Sequence, residues 1–87
     1  MTEPYKILLS DDHPLMRKGM RQILELETDF VVVGEASNGS EGVAQALKLQ
    51  PDLIMLDLNM KGISGLDTLR SLRAHDVNAR VVVLTVS

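Results

Sequence analysis

Five residues of this sequence fall where their types and spacing could do chemistry. Asp11 and Asp12 directly follow the first apolar run, Asp57 closes the third, Asn59 lies two residues further on, and Thr85 closes the fourth. Carboxylates gathered together repel one another unless a cation offsets them. A hard divalent ion is their most economical partner. Mg²⁺ takes a few carboxylate or carbonyl oxygens, keeps several waters, and often completes its shell with a phosphate. Held that way, it would leave one oxygen of Asp57 free to attack phosphorus and would neutralise charge on the transferring group. The Thr85 hydroxyl could then hydrogen-bond a phosphoryl oxygen and so sense the modified state.

Each of these residues also has a plainer reading. Asp after a strand is a common turn or N-cap choice, and Asp11-Asp12 ahead of Pro14 would by itself make a helix start. Asp57 resists that explanation, because an unpaired carboxylate at a buried strand end is expensive. The recurrence of polar groups at three separate strand ends therefore favours a metal and phosphoryl site. His13 is expected to serve the helix start and not to be a ligand, since Mg²⁺ prefers oxygen to imidazole. Gly34, Gly39 and Gly42 do not form the dinucleotide-binding pattern, and no Lys follows them to make a phosphate loop. Asp52, Glu27 and Asp29 precede strands, so they belong to the opposite rim as solvated turn residues.

The elements that must carry these residues are legible in the hydrophobic pattern. Ile7-Leu8-Leu9, Phe30-Val31-Val32-Val33, Leu53-Ile54-Met55-Leu56 and Val81-Val82-Val83-Leu84 are continuous apolar runs. Such runs suit strands covered on both faces of a parallel sheet. Between them, Met16, Met20, Ile23 and Leu24 make one helical stripe that starts near Pro14. Val43, Ala46 and Leu47 mark a second helix, which ends before Pro51. Leu66, Leu69 and Leu72 mark a third, with Ser64 and Asp67 as its capping pair. All three stripes are expected to face the core. The order β-α-β-α-β-α-β predicts an open α/β sheet, in which ligands bind at the carboxyl ends of the strands.

Composition narrows the function classes. A chain of 87 residues can hold one core, and its net charge of −3 lacks the basic footprint of a nucleic-acid-binding domain. With no cysteine there is no disulfide framework, thiol nucleophile or cysteine-ligated zinc. No apolar run approaches a membrane span, and the polar, acidic N-terminus does not resemble a secretory signal, so a cytoplasmic location is expected.

At the strand ends the sequence resembles the receiver domain of bacterial two-component response regulators. The matching runs are Ile7 to Pro14, Asp52 to Met60 and Val83-Leu84-Thr85. Asp12 to Arg17, Val33-Gly34-Glu35-Ala36 and Leu56 to Gly62 are similar to the NarL/FixJ subfamily, in particular to its nitrate/nitrite regulators. The resemblance implies a flavodoxin/CheY-like fold and a signalling role, not that of an enzyme. It makes Asp57 the phosphoacceptor from a sensor histidine kinase. It also implies that Asp12 and the Asn59 backbone carbonyl ligate Mg²⁺ alongside Asp57, that Asp11 acts mainly through water, and that Thr85 turns toward the phosphoryl group. Lys61 departs from the pattern, standing where the family most often has Pro, a residue that would stiffen the loop beside the acceptor.

A complete receiver would continue through a fourth helix, a fifth strand and a fifth helix, with an active-site Lys, and then into a helix-turn-helix DNA-binding domain. Residues 1–87 are accordingly expected to be a truncated receiver that contacts DNA only through a domain outside this chain. An unguarded fourth strand, Arg80 to Val86, would favour a homodimer formed by edge pairing or exchange of elements. Two other functions remain open on the residues alone. One is a Mg²⁺-dependent phosphohydrolase with an Asp nucleophile, since Asp57-Leu58-Asn59 is distantly similar to an Asp-x-Asp motif. The other is a receiver-like module that never carries phosphate.

Overall fold

The structure, a computed structural model, describes residues 3–57 and 65–84. Strand β1 (Tyr5–Ser10) is followed by helix α1 (Pro14–Leu24), β2 (Phe30–Ala36), α2 (Gly39–Leu49), β3 (Leu53–Asp57), α3 (Gly65–Ala74) and β4 (Arg80–Leu84). The four strands form one parallel sheet in the order β2-β1-β3-β4. The alternation expected from the sequence is thus present element for element.

Why these segments take these forms is local chemistry. Pro14 occupies the first turn of α1, where its missing N–H costs nothing. Asn38 caps α2 by accepting the Glu41 N–H at 2.8 Å. That helix stops at Gln50, whose left-handed φ of 48° closes the turn ahead of Pro51. The Ser64 half of the proposed α3 cap lies outside the described residues.

Successive strand residues point to opposite faces, and they sort the core into two halves. Leu8, Ile54 and Leu56 pack with Val43 and Ala46 of α2, Leu72 of α3 and Ala79. Ile7, Leu9 and Val32 form the other half, against which Met20 and Leu24 of α1 pack, with Leu53 and Met55. The helical stripes are narrower than the sequence suggested. Met16, Ile23, Leu47 and Leu66 are exposed, because each helix packs on the core mainly through residues one turn apart, such as Met20 with Leu24 and Leu69 with Leu72. β4 also departs from expectation: Val82 and Val83 are exposed, so this run is not covered on both faces.

The register brings the strand ends level. Ser10 pairs with Ala36 on one side and with Leu56 on the other, and Asp57 pairs with Leu84. From β1 the chain steps outward to β2, then crosses back to β3 on the far side of β1. The crevice between the carboxyl ends of β1 and β3 is therefore the switch point at which open α/β sheets bind ligands.

Candidate functional site

Two neighbouring strands deliver the acids to that crevice. Asp11 and Asp12 leave the end of β1, and Asp57 is the last residue of β3. Asp57 is 1% exposed and Asp11 5%, so both carboxylates are largely withdrawn from water. Ligand atoms of Asp11, Asp12, His13 and Asp57 all lie within 4.8 Å of one another. This places together the three carboxylates singled out from the sequence. Asn59 and Thr85, the other two candidates, lie outside the described residues.

His13 corrects one expectation in part. It does stand at the N-cap of α1, but its side chain makes no capping hydrogen bond. Instead its ring Nδ1 lies 2.9 Å from Asp11 Oδ1, 3.0 Å from Asp12 Oδ1 and 3.4 Å from Asp57 Oδ2. The imidazole pKa is raised above its ordinary 6.5, first by the hydrogen bond to Asp11, then by the charge of Asp12, with smaller contributions from the Asp11 and Asp57 charges against some desolvation. The helix-start argument missed this contact because capping position alone does not say which way the ring turns. Asp52 is a second correction. Its carboxylate is not merely solvated; it accepts the Lys6 backbone N–H at 2.7 Å and ties the start of β1 to β3.

The β1–α1 turn is held from behind by β2. The Asp11 N–H donates to the Ala36 carbonyl at 2.9 Å. Arg17 donates from Nη1 to the Asp11 carbonyl at 2.5 Å and from Nε to Glu35 at 3.2 Å. No motif in the sequence points to a task for Arg17, and a cation near the start of a helix is the one local signal of it.

Close packing also fixes the base of the site. A Cβ on Gly42 would lie 2.8 Å from Ser10 Oγ, so α2 approaches the end of β1 as closely as it does only because that position is glycine. At the opposite rim a shallow groove of about 560 Å³ opens between Gln50, Pro51, Asp52, His75 and Asp76. It lies at the other ends of the strands and gathers none of the site carboxylates.

A trio of acids at a switch point can hold a hard cation, since the donors are all carboxylate oxygens and they gather within 4.8 Å of one another. The carboxylate chemistry thus fits a divalent ion, with Asp11, Asp12 and Asp57 as the described residues that would hold it. Residues 7–87 match the family described as the response regulator receiver domain. The chain belongs to that family. It is a signalling family, not a catalytic one, and its members include transcriptional regulators. The chain is 58% identical, over its whole length, to a nitrate/nitrite response regulator homolog of Haemophilus influenzae, of which it covers 42%. The receiver domain of a putative response regulator NarL from Mycobacterium tuberculosis superposes with a TM-score of 0.91 at 31% identity, over 97% of this chain and 68% of that one. A Borrelia burgdorferi CheX–CheY complex solved with BeF3 and Mg²⁺ gives a TM-score of 0.88 at 27% identity, over 95% of this chain and 63% of that one. The chain spans roughly two fifths of the length of the curated relatives it matches, between 37% and 42%. Among the described residues no helix is long and apolar enough to cross a membrane.

Proposed function

We propose that this chain is the phosphoacceptor part of a cytoplasmic, nitrate- or nitrite-responsive transcriptional regulator, and that Asp57 receives the phosphoryl group from a sensor histidine kinase. The observation that carries this reading is the burial of Asp57 at a strand end facing Asp11 and Asp12 across the switch point. In the transfer, an Asp57 carboxylate oxygen forms a bond to phosphorus as the P–N bond to the kinase imidazole breaks. The product is an acyl phosphate on Asp57, and the freed imidazole nitrogen takes up a proton.

Asp12, Asp57 and the Asn59 carbonyl would hold Mg²⁺ directly, and Asp11 would do so through water. When bound, the ion supplies positive charge against the transferring oxygens. The described residues have separate tasks. Burial of Asp57 limits water access to the acyl phosphate, and Asp11 with Asp12 fixes where the cation can sit. Thr85 would hydrogen-bond the phosphoryl group and carry the signal onward. DNA binding belongs to a further domain of the whole regulator. The nitrate/nitrite assignment is supported by the names and the 52–58% identity of the relatives.

Acetyl phosphate with Mg²⁺ should give a phosphoryl adduct in intact-mass spectra that Asp57→Asn abolishes. An adduct that survives in Asp57→Asn overturns the assignment, and turnover of a generic phosphate ester would favour the phosphohydrolase reading. No Mg²⁺-dependent change at Asp57 would favour a module that never carries phosphate.

Exposed Val82 and Val83 on β4, an outer strand of the described sheet, support self-association through that edge. Sedimentation at micromolar concentration should show a dimer, and a monodisperse monomer counts against it.

A further inference from the structure

Arg17 occupies a position that helix electrostatics alone would not choose. It lies in the first turn and a half of α1, near the positive end of the helix dipole, and no acidic residue occupies the first turn to offset it. Its side chain is nevertheless only 18% exposed and has two oriented hydrogen bonds. Nη1 donates to the Asp11 carbonyl at 2.5 Å, and Nε donates to Glu35 Oε1 at 3.2 Å. The other oxygen of Glu35 accepts from Arg21 Nη1 at 2.6 Å, and Arg21 Nε donates in turn to Glu25 at 2.7 Å.

The consequence lies in the peptide plane between Asp11 and Asp12. The Asp11 N–H is bound to Ala36 at the end of β2, and the Asp11 carbonyl is bound, through Arg17, to Glu35 one residue earlier on the same strand. Both backbone groups of Asp11 are thereby referred to β2. That carbonyl belongs to the peptide that leads into Asp12, so its direction sets where the Asp12 carboxylate points. The Asp11 carboxylate also accepts the His13 N–H at 2.8 Å, but that bond lies within the turn and does not tie it to β2; without Arg17 the plane could rotate and carry Asp12 away from Asp57.

We infer that Arg17 is a positioning residue for the carboxylate pocket: it clamps the Asp11 carbonyl against Glu35 and so fixes Asp12 at its working separation from Asp57. This rests on the metal and phosphoryl reading given above. The task calls for a guanidinium, because its planar fork serves two acceptors at once where a lysine ammonium on a flexible stem serves them poorly.

The test is Mg²⁺ titration of the 87-residue chain by calorimetry, with amide NMR shifts of Asp12 and Asp57, for the unaltered chain, Arg17→Met, Arg17→Lys and Glu35→Gln. Urea denaturation run alongside establishes conditions in which every variant is folded, so that lost stability cannot pass for lost affinity. Arg17→Met should weaken Mg²⁺ binding about tenfold, the low end of the range for groups that orient metal ligands. Arg17→Lys should recover part of that loss, and Glu35→Gln should show a smaller one. Folded Arg17→Met that binds within about twofold of the unaltered chain overturns the inference. Should Arg17→Met fail to fold, unaltered affinity in both Arg17→Lys and Glu35→Gln overturns it instead. An unaltered chain that binds no Mg²⁺ overturns the metal reading itself, an outcome distinct from the other two.

Discussion

Neutralising Asp57 should make the metal-free protein more stable, although it removes the group on which the proposed chemistry depends. Asp57 faces two other acids with ligand atoms no more than 4.8 Å away. At that distance each pair of like charges costs about 3.5 kcal/mol for an effective dielectric near 20 and under about 1 kcal/mol in bulk water. With Asp57 only 1% exposed, the first regime applies more nearly than the second. The His13 ring, 3.4 Å from Asp57, offsets part of the repulsion, and Asn retains hydrogen-bonding capacity at nearly the same volume. Asp57→Asn should therefore gain about 1–3 kcal/mol without metal, for a domain of this size a rise of roughly 4–8 °C per kcal/mol. The assay is urea and thermal denaturation in chelator at about pH 8, where the His13 offset is smallest. Adding Mg²⁺ should then reverse the comparison, because binding to the folded state stabilises the unaltered chain more than the variant. Asp57→Asn that is no more stable than the unaltered chain in chelator, or that gains as much from Mg²⁺, would refute the view that these acids form one mutually repelling cation site.

Two further outcomes follow from the same surroundings. The acids raise the His13 pKa, with the Asp11 hydrogen bond the largest cause, so the protonated ring is favoured in the folded chain. That stabilisation is complete below the ordinary value of 6.5 and is lost as pH climbs through the raised one. In chelator, the stability advantage of the unaltered chain over His13→Gln should be present at about pH 6 and shrink by about pH 8; a gap that widens with pH would contradict the sign. Gly42→Ala ought to favour helix α2 by up to about 1 kcal/mol in propensity, yet its new Cβ would press on buried Ser10 at 2.8 Å. Overpacking should win, with a net loss of about 1–2 kcal/mol in urea denaturation, and a neutral or stabilised variant would show that the strand end yields.

The linear order of the chain already determined much of this protein. Continuous apolar runs broken by helical stripes are local signals, so all four described strands and three helices could be placed from them. The acids after the first and third strands could be assigned to one rim, because parallel strands joined by crossovers end on the same side. What periodicity could not convey was the width of each contact. Met16, Ile23, Leu47 and Leu66 belong to the stripes but miss the sheet, and only the angle and placement of each helix decided that. The same holds for polar side chains. Sequence assigned His13 to a helix start and Asp52 to a turn, and both do lie there. Whether a ring or carboxylate then turns to solvent, to a backbone N–H or into a cluster of acids depends on partners distant in the chain. Arg17 is the clearest case, since its acceptors are Asp11, just past the end of β1, and Glu35 on β2. The chemistry of the acids was thus written locally, whereas the clamp that sets their separation exists only once β2 lies beside β1.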